Sequence, residues 1–314
     1  PLSAIVFDYY FTFIPYFINM FSPLFTFIAV VFFTSKLAYN TEIVAILSSG
    51  IHFRRLVVPY MIGAIFIGSM SYVLANFIIP DTNKIMVEFE DKYINGPRRS
   101  GDKNVHMQIS PGTHIGVESF NVGKQRGHKF SLEKFENGTL IYKIEADKIQ
   151  WDTAAKLWQI KKYTSRRIHE MSETIVKGDV MDTILELQPE DFTRKVEDLK
   201  TMNYWELNEF LERERIRGTK KLRQYEVERF TRLSFPFSSL ILTLIGLAVS
   251  SRKVRGGTGL HLGIGLTLAF TYILFMKVAA VFGTNGNANP LVAVWVPNVV
   301  FGFLAVYLLK KAPK

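Results

Sequence analysis

The charged residues of this chain avoid its two ends. Of the 66 Asp, Glu, Lys and Arg residues, 52 lie between Asp81 and Glu228, and the flanks, 1–80 and 229–314, are almost wholly apolar and aromatic. A helix that spans a bilayer needs roughly 20 consecutive apolar residues, because the hydrocarbon layer is about 30 Å thick. The flanks contain several such runs and the middle contains none. The sequence therefore predicts two bundles of spanning helices separated by one water-exposed domain.

Five apolar runs predict five spans. They cover residues 11–33, 56–79, 233–249, 260–282 and 291–309. Pro15 and Pro23 interrupt the first run, which spanning helices tolerate when neighbours satisfy the freed carbonyls. Pro80 is expected to end the second run. The predicted organisation is a first membrane part at 1–80, an outer domain at 81–228 and a second membrane part at 229–314.

Basic residues in the short loops predict the orientation, since such residues accumulate on the cytoplasmic side. The basic residues next to the spans are Lys36, Arg54, Arg55, Arg252, Lys253, Arg255, Lys310, Lys311 and Lys314. All of them fall on one side, whereas the loop at 283–290 carries no charge. The large domain is then outside, in the periplasm of a didermal bacterium. This orientation also places the N-terminus outside without a signal peptide, so we expect a sixth span before residue 1.

The outer domain shows the alternation of apolar and polar residues that half-buried strands require. Strands are predicted at 106–110, 114–120, 129–135, 139–149 and 156–164, with a charged helix at 203–217. Asn137-Gly138 between two alternating runs is a strong hairpin signal. Regularly spaced strands favour an antiparallel sandwich or jelly roll. Its apolar interior is interpreted either as a stabilising core or as a slide for a lipid chain.

A short helix is predicted at about 40–50, between the first two spans. Asn40 or Thr41 is a suitable N-cap, Glu42 supplies an acid in the first turn, and Gly50 is a typical residue just beyond a helix end. One interpretation is an interfacial helix that merely joins two spans. The other is a coupling helix that docks into a cytoplasmic motor subunit through Glu42.

Three basic residues in or beside the spans are candidates for binding lipid phosphate. Lys277 lies within the fourth run, where a lysine is costly and points to function; the alternative is that it snorkels towards the nearby surface. Arg229 and Arg232 precede the third run and either attract phosphates or anchor the helix among headgroups. Gly259 and Gly263 are four residues apart, as close helix packing requires.

Several other classes of function are disfavoured. The chain has no cysteine, and its six histidines show no ligand spacing, so neither a metal site nor a cysteine nucleophile is predicted. His261 is interpreted as an interfacial residue. No catalytic residues, no cofactor and no phosphate-binding loop are predicted, so the chain is not expected to hydrolyse ATP itself. The net charge of +10 is attributed to membrane proximity rather than to nucleic acid.

The run from Thr41 to Gly50 resembles the coupling segment of the LptF/LptG lipopolysaccharide-export permeases, and the order of parts along nearly the whole chain is similar to theirs. A span ends near Ile79-Pro80, a strand-rich domain with Trp158 follows, and three more spans complete the chain. Position 48 is Ser where Ala is more usual in that family. The resemblance accounts for the expected sixth span, since these permeases have six.

The resemblance implies a function and a set of partners. Family members work as a pair of paralogous permeases around a dimeric cytoplasmic ATPase, take lipopolysaccharide from the inner membrane, and pass it to a jelly-roll bridge protein in the periplasm. In this chain it implies coupling to the ATPase through Glu42, Ile46, Arg54 and Arg55. It does not distinguish the F-type from the G-type subunit. A membrane-anchored periplasmic scaffold and a mechanotransmitting transporter subunit remain alternatives.

Overall fold

The computed structural model describes residues 2–94, 100–169, 172–192, 196–219, 221–252, 257–286 and 288–312. The chain divides into two compact units. A helical unit comprises Pro1–Ile85, Lys200–Tyr204 and Arg223–Lys314, and a strand-rich unit comprises Met86–Leu199 and Trp205–Leu222. Three of the basic loop residues, Lys253, Arg255 and Lys314, lie outside the described residues.

The helices follow from the apolar runs. In chain order they are α1 (Leu2–Tyr39), α2 (Glu42–Ser48), α3 (Phe53–Tyr93), α4 (Tyr204–Arg217), α5 (Leu222–Ser234), α6 (Phe237–Ser250), α7 (Gly257–Asn285) and α8 (Pro290–Lys310). Within the described residues, four of these helices are long and apolar enough to cross a membrane. The bent pair formed by α5 and α6 would provide a fifth span.

The centre of the helical unit is built around Phe27 of α1, which is 1% exposed. Gly246 of α6 and Gly265 of α7 lie against its ring: an added Cβ would stand 3.2 Å and 2.9 Å from ring atoms, respectively. These glycines allow close packing of helices, which small residues provide in membranes. The predicted pair, Gly259 and Gly263, does not pack in this way within the chain, because no atom of another described element lies within 4 Å of a Cβ built there.

The helix of the second predicted span does not end at Pro80, contrary to the prediction. The helix α3 continues to Tyr93 after a π-helical stretch at Leu74–Ile78. There the Ile79 amide donates to the Leu74 carbonyl, five residues back. A proline ring normally clashes with the carbonyl four residues before it. The wider π turn provides room for that ring, so the helix passes through Pro80.

The third predicted span is bent rather than straight. The helices α5 and α6 meet at Phe235–Pro236 with an angle of 47° between them. Pro236 has no amide hydrogen, and the amides of Ser238 and Ser239 instead form short turns to the carbonyls of Phe235 and Pro236. The run 233–249 therefore includes the last residues of one helix and most of the next.

The strand-rich unit contains an antiparallel sheet of six strands. They are β1 (Ser100–Ser110), β2 (Thr113–Asn121), β3 (Arg126–Glu136), β4 (Thr139–Asp152), β5 (Leu157–Ile168) and β6 (Glu173–Thr183). Each strand pairs with its neighbours in sequence, in the order β1 to β6. The predicted class, a helical membrane part with an inserted antiparallel β domain, is confirmed. The sixth strand was not predicted, because its residues are almost all exposed and show little alternation.

The hairpin at Asn137-Gly138 is confirmed. Glu136 pairs with Thr139, and both turn residues have positive φ, 52° at Asn137 and 80° at Gly138. Two-residue hairpin turns favour Asn-Gly because both positions need this conformation. The charged helix predicted at 203–217 is also found, as α4.

A hydrophobic core around Trp158 packs against the sheet of the strand-rich unit. Trp158 on β5 is fully buried, and its ring stands edge-on to Trp151 with 5.1 Å between the ring centroids. The indole N–H of Trp158 donates to the Leu187 carbonyl at 2.9 Å, so burial leaves no polar atom of this side chain unpaired. Phe120 and Phe192 stack at 4.5 Å in the same cluster.

Candidate functional site

A cavity of about 210 Å³ lies within the helical unit. It is bordered by residues of α1, α3, α5 and α7, by Phe235 and by the short segment around Lys200. The lining residues are Tyr16, Asn19, Met20, Ala75, Ile79, Asn83, Lys200, Glu228, Thr231, Arg232, Phe235 and Lys277. Three of these side chains are cationic and one is anionic, and several others are apolar. The cavity therefore combines positive charge with an apolar wall.

Lys277 is the cation that α7 contributes to this cavity. It follows Phe275 and Met276 in an otherwise apolar helix, and its side chain is exposed. Among the described residues, the structure gives its ammonium group neither an ion pair nor a hydrogen bond. An ammonium group in an apolar helix is costly, and such residues usually serve a bound ion or substrate.

Arg232 of α5 lines the same cavity but is already engaged within the chain. It is 8% exposed, its Nε lies 3.4 Å from the Glu228 carboxylate, and its guanidinium donates to the Met202 carbonyl at 2.8 Å. Arg229 does not line the cavity, and its guanidinium lies 5.7 Å from the Phe230 ring centroid. The structure thus brings Arg232 and Lys277 to one site and leaves Arg229 outside it.

Lys200 is the third cation, and sequence reasoning missed it. Its ammonium group lies 5.8 Å from the ring centroid of Tyr16, and the Asn83 side chain donates to its backbone carbonyl at 3.0 Å. Lys200 sits in the charged middle of the chain, far in sequence from the apolar runs. No spacing or motif connects it with Lys277, so only the folded chain could identify it.

A hydrogen bond between α1 and α3 lies beside the cavity. The Ser71 hydroxyl on α3 donates to the Asn19 side-chain carbonyl on α1 at 2.5 Å. This contact joins the two helices beside the cavity. An anionic headgroup with an apolar tail matches such a site, because phosphate oxygens accept charge-assisted hydrogen bonds while the tail contacts Met20 and Phe235.

A second candidate site is the surface formed by α2. Glu42, its first residue, is exposed and accepts a hydrogen bond from the Asn40 side-chain amide at 3.0 Å. Ile43 is buried, Ile46 is half-buried, and Val44 is 56% exposed. The helix is therefore anchored on one side and presents Glu42 and Val44 outwards.

The turn that leads into α2 differs from the prediction. Thr41 occupies the N-cap position, but its side chain makes no capping hydrogen bond, and its φ is 63°. A β-branched residue rarely adopts this left-handed conformation. The Thr41 hydroxyl donates to the Asn40 carbonyl instead, and this bond competes with capping. Gly50, with φ of 87°, ends the segment as predicted.

Arg54 and Arg55, the other two charged residues predicted to couple to the ATPase, lie at the start of α3. Arg54 and Arg55 are both exposed, and His52 caps the helix by accepting the Arg54 amide at 3.1 Å. Phe53 beside them is buried against Leu247 and Ala312. Packing of Phe53 fixes the first turn of α3 and leaves the two guanidinium groups outside.

The strand-rich unit has a larger cavity, of about 800 Å³, at one end of its sheet. Its walls combine apolar residues with charged ones. The lining residues are Ile109, Ser110, Thr113, Leu132, Lys134, Glu136, Ile141, Tyr142, Arg167, Ile168, His169, Ile184, Leu185 and Glu186. Such a surface is suited to binding an amphiphilic molecule. The acyl chain of that molecule would contact the apolar side chains, and its headgroup would contact the charged side chains.

The histidines do not form a metal site in the described part of the chain. No three His, Asp or Glu side chains there are grouped closely enough to hold a metal ion. His261 is 4% exposed, and its Nδ1 lies 2.7 Å from the Ser35 hydroxyl, so it joins α7 to α1 rather than facing the interface.

Comparison with known protein families agrees with this architecture. The family described as lipopolysaccharide export system permease LptF/LptG matches residues 3–311. No curated protein sequence matches the chain significantly. The match covers both groups of apolar helices and the inserted sheet. This chain therefore belongs to the LptF/LptG family of lipopolysaccharide export permeases.

Proposed function

We propose that this chain is one permease subunit of an ATP-driven exporter that takes lipopolysaccharide from the inner membrane of a didermal bacterium. The observation that carries the proposal is the cavity at Lys277. There an ammonium group with no hydrogen bond or ion pair to any described residue stands beside apolar side chains within helices of spanning length. Lipid A phosphate is the group that Lys277 and Lys200 would bind. Family membership supports a permease role for the whole chain.

Energy is proposed to enter through α2. The exposed Glu42 and Val44, with Arg54 and Arg55 nearby in sequence, form the contact surface for a separate dimeric ATPase. The strained turn at Thr41 supports a functional role for this segment, because unfavourable backbone conformations persist at sites that a protein uses. The chain has no phosphate-binding loop of its own.

The strand-rich unit is proposed to lie in the periplasm and to pass lipid to a jelly-roll bridge protein. Two features support this. The large cavity offers apolar side chains to acyl groups, and β6, at an edge of the described sheet, carries exposed Ile175, Val176 and Val180. An edge strand with apolar side chains is suited to pairing with another sheet. The second permease subunit is proposed to complete the transport path.

Photo-crosslinking tests the lipid-binding proposal. A photoreactive amino acid replaces Met20 in the cavity wall, and the matched control replaces Phe303, a residue of α8 that is 73% exposed. In cells or in proteoliposomes with the ATPase, we expect a lipopolysaccharide adduct at position 20 and little at position 303. An ATPase that copurifies without an adduct at position 20 would favour a mechanotransmitter. Absence of any copurifying ATPase would favour a scaffold.

A further inference from the structure

The bend between α5 and α6 exposes a backbone carbonyl to a partner on another helix. In a continuous helix the Ser234 carbonyl would accept the Ser238 amide, but that amide bonds to Phe235 instead. Ser234 is fully buried, so water does not replace the lost bond. An unpaired carbonyl inside a membrane is unfavourable, and broken helices persist there only when neighbouring groups satisfy the freed atoms.

Asn298 of α8 supplies the missing donor. Its side-chain amide donates to the Ser234 carbonyl at 3.0 Å, and its side-chain carbonyl accepts a hydrogen bond from the Tyr272 hydroxyl on α7. Asn298 is 4% exposed and Tyr272 is fully buried. Both ends of the Asn298 amide are thus used. This pair of side chains, Tyr272 and Asn298, joins three segments at the bend.

The bend also determines part of the cavity wall. Thr231, Arg232 and Phe235, the residues at and just before the bend, line the cavity, and Lys277 lies five residues beyond Tyr272 on α7. On the far side of the bend, the Pro236 carbonyl would lie 3.1 Å from a Cβ at Gly68 of α3. The absence of a side chain at Gly68 thus allows α3 to approach the bend closely.

We propose that Asn298, oriented by Tyr272, is a positioning residue that fixes the bend and so sets where Arg232 and Phe235 stand in the cavity. The lipid-binding part of this inference rests on the proposed function, whereas the part concerning the bend does not. Neither residue touches the cavity, so each acts through the helices that line it.

Two variants distinguish the effect of the hydrogen bond to the Ser234 carbonyl from the effect of side-chain packing. Asn298→Leu keeps a similar size but removes both the donor to the Ser234 carbonyl and the acceptor for Tyr272. Leucine is preferred to aspartic acid, which would be neutral at this buried site and could donate to Ser234 through its O–H. Tyr272→Phe keeps the donor to Ser234 and removes only the hydroxyl. The matched control is Tyr60→Phe, which removes the hydroxyl of a half-buried tyrosine that accepts a hydrogen bond from Thr34 at 2.9 Å elsewhere between helices.

The bend is measured directly with spin labels. The chain has no cysteine, so Gln224→Cys on α5 and Val249→Cys on α6 provide two unique label sites across the bend. Straightening a 47° bend would lengthen this distance by about 3 Å, for helices that rise about 1.5 Å per residue. In Asn298→Leu we expect a longer or broader distance distribution. Tyr272→Phe should show a smaller change, and Tyr60→Phe none.

Lipid binding is measured in parallel, with lipopolysaccharide added to the full complex in nanodiscs. We expect Asn298→Leu to weaken binding by roughly tenfold, within the range for the loss of one hydrogen bond, and Tyr60→Phe to leave it unchanged. If Asn298→Leu folds and leaves both the distance distribution and lipid affinity unchanged, the inference is wrong. If Asn298→Leu does not fold, an unchanged distance in Tyr272→Phe overturns the orienting role of Tyr272. If wild-type protein binds no lipopolysaccharide while the bend still depends on Asn298, the proposed function fails and the positioning role stands.

Discussion

Individual residues in this chain acquire their roles from their neighbours in space. Lys277 and Arg232 were both identified from the sequence as basic residues in or beside apolar runs. In the folded chain they differ, because Arg232 is paired with Glu228 and the Met202 carbonyl, whereas the Lys277 ammonium has no such engagement among the described residues. Two cations of equal formal charge therefore differ in their capacity to bind a new anion.

Neutralising Lys277 should weaken lipid capture. In Lys277→Gln we expect lipopolysaccharide crosslinking at position 20 to fall by roughly tenfold, because a charge-assisted contact to phosphate is replaced by a neutral one. The measurement is adduct yield in proteoliposomes with the ATPase present. Lys36→Gln, an exposed lysine at the end of α1, is the control and should retain the wild-type yield. Equal yields in the two variants would remove Lys277 from the site.

Local sequence patterns predicted which helices and strands form. They did not predict how the ends of these elements are formed. The helix predicted at 40–50 is present as α2, but its cap is formed differently, since Thr41 bonds to the preceding carbonyl instead of the helix amides. The helix of the second predicted span continues through Pro80 because a π turn precedes it. Both departures occur where the backbone adopts an uncommon conformation that periodicity does not reveal.

Reversing the charge of Glu42 should disrupt the contact with the ATPase. In Glu42→Lys we expect less copurified ATPase and loss of lipopolysaccharide-stimulated ATP hydrolysis, because an exposed carboxylate of α2 becomes a repelling ammonium for any basic partner. Copurification in mild detergent measures this. Asp147→Lys, an equivalent reversal on an exposed strand residue, is the control. A Glu42→Lys protein that retains the ATPase and its stimulation would leave α2 as a simple connector.

The sheet contains an ion-pair cluster whose contribution depends on pH. The Lys143 ammonium lies 2.8 Å from Glu145 and 3.1 Å from Glu133. The hydrogen bond that Lys143 donates lowers the pKa of Glu145 below its ordinary value of 4.5, and the same hydrogen bond, accepted by Glu145, raises the pKa of Lys143 above its ordinary value of 10.5. The ion pair therefore makes its full contribution to the stability of the folded protein at pH values between 4.5 and 10.5. Its contribution is lost as pH falls through the lowered pKa of Glu145.

Removing this ammonium should alter stability only where the pair is charged. In Lys143→Met we expect a loss of less than about 1 kcal/mol at pH 7, since Glu145 is largely exposed and water screens the pair. The difference in stability between Lys143→Met and the wild-type protein should become smaller as the solution is acidified below pH 4.5. Thermal unfolding of the whole protein in detergent at several pH values measures it. Lys148→Met, at an exposed lysine of the same strand, should show no such pH dependence.

At the scale of the whole molecule, charge distribution predicts which ends of the helices share a side of the membrane. The basic loop residues that the structure describes lie next to helix ends on the side predicted to be cytoplasmic. They include Lys36, Arg54, Arg55, Arg252 and Lys310. The uncharged loop after α7 belongs to the opposite side. This orientation remains a prediction, as it depends on a membrane rather than on contacts within the chain.

Introduced cysteines test the orientation, because the chain has none of its own. Ser49→Cys, beside α2, should be protected from a membrane-impermeant thiol reagent applied to spheroplasts. Asn285→Cys, at the end of α7, should react. The measurement is labelling before and after the membrane is made permeable. The opposite pattern would invert the predicted topology and place the strand-rich unit inside the cell.

The sequence by itself determined the class of the fold, the approximate spans, the hairpin at Asn137-Gly138 and the identity of Lys277 as a costly charge. These follow from hydropathy, period and turn chemistry, which act within short stretches of chain. Only the tertiary structure decided that Lys200 joins Lys277, that Gly246 and Gly265 enclose Phe27, and that Asn298 caps Ser234. Each of these depends on residues far apart in sequence. Their energies come from close packing and from satisfying buried polar groups, so no local pattern encodes them.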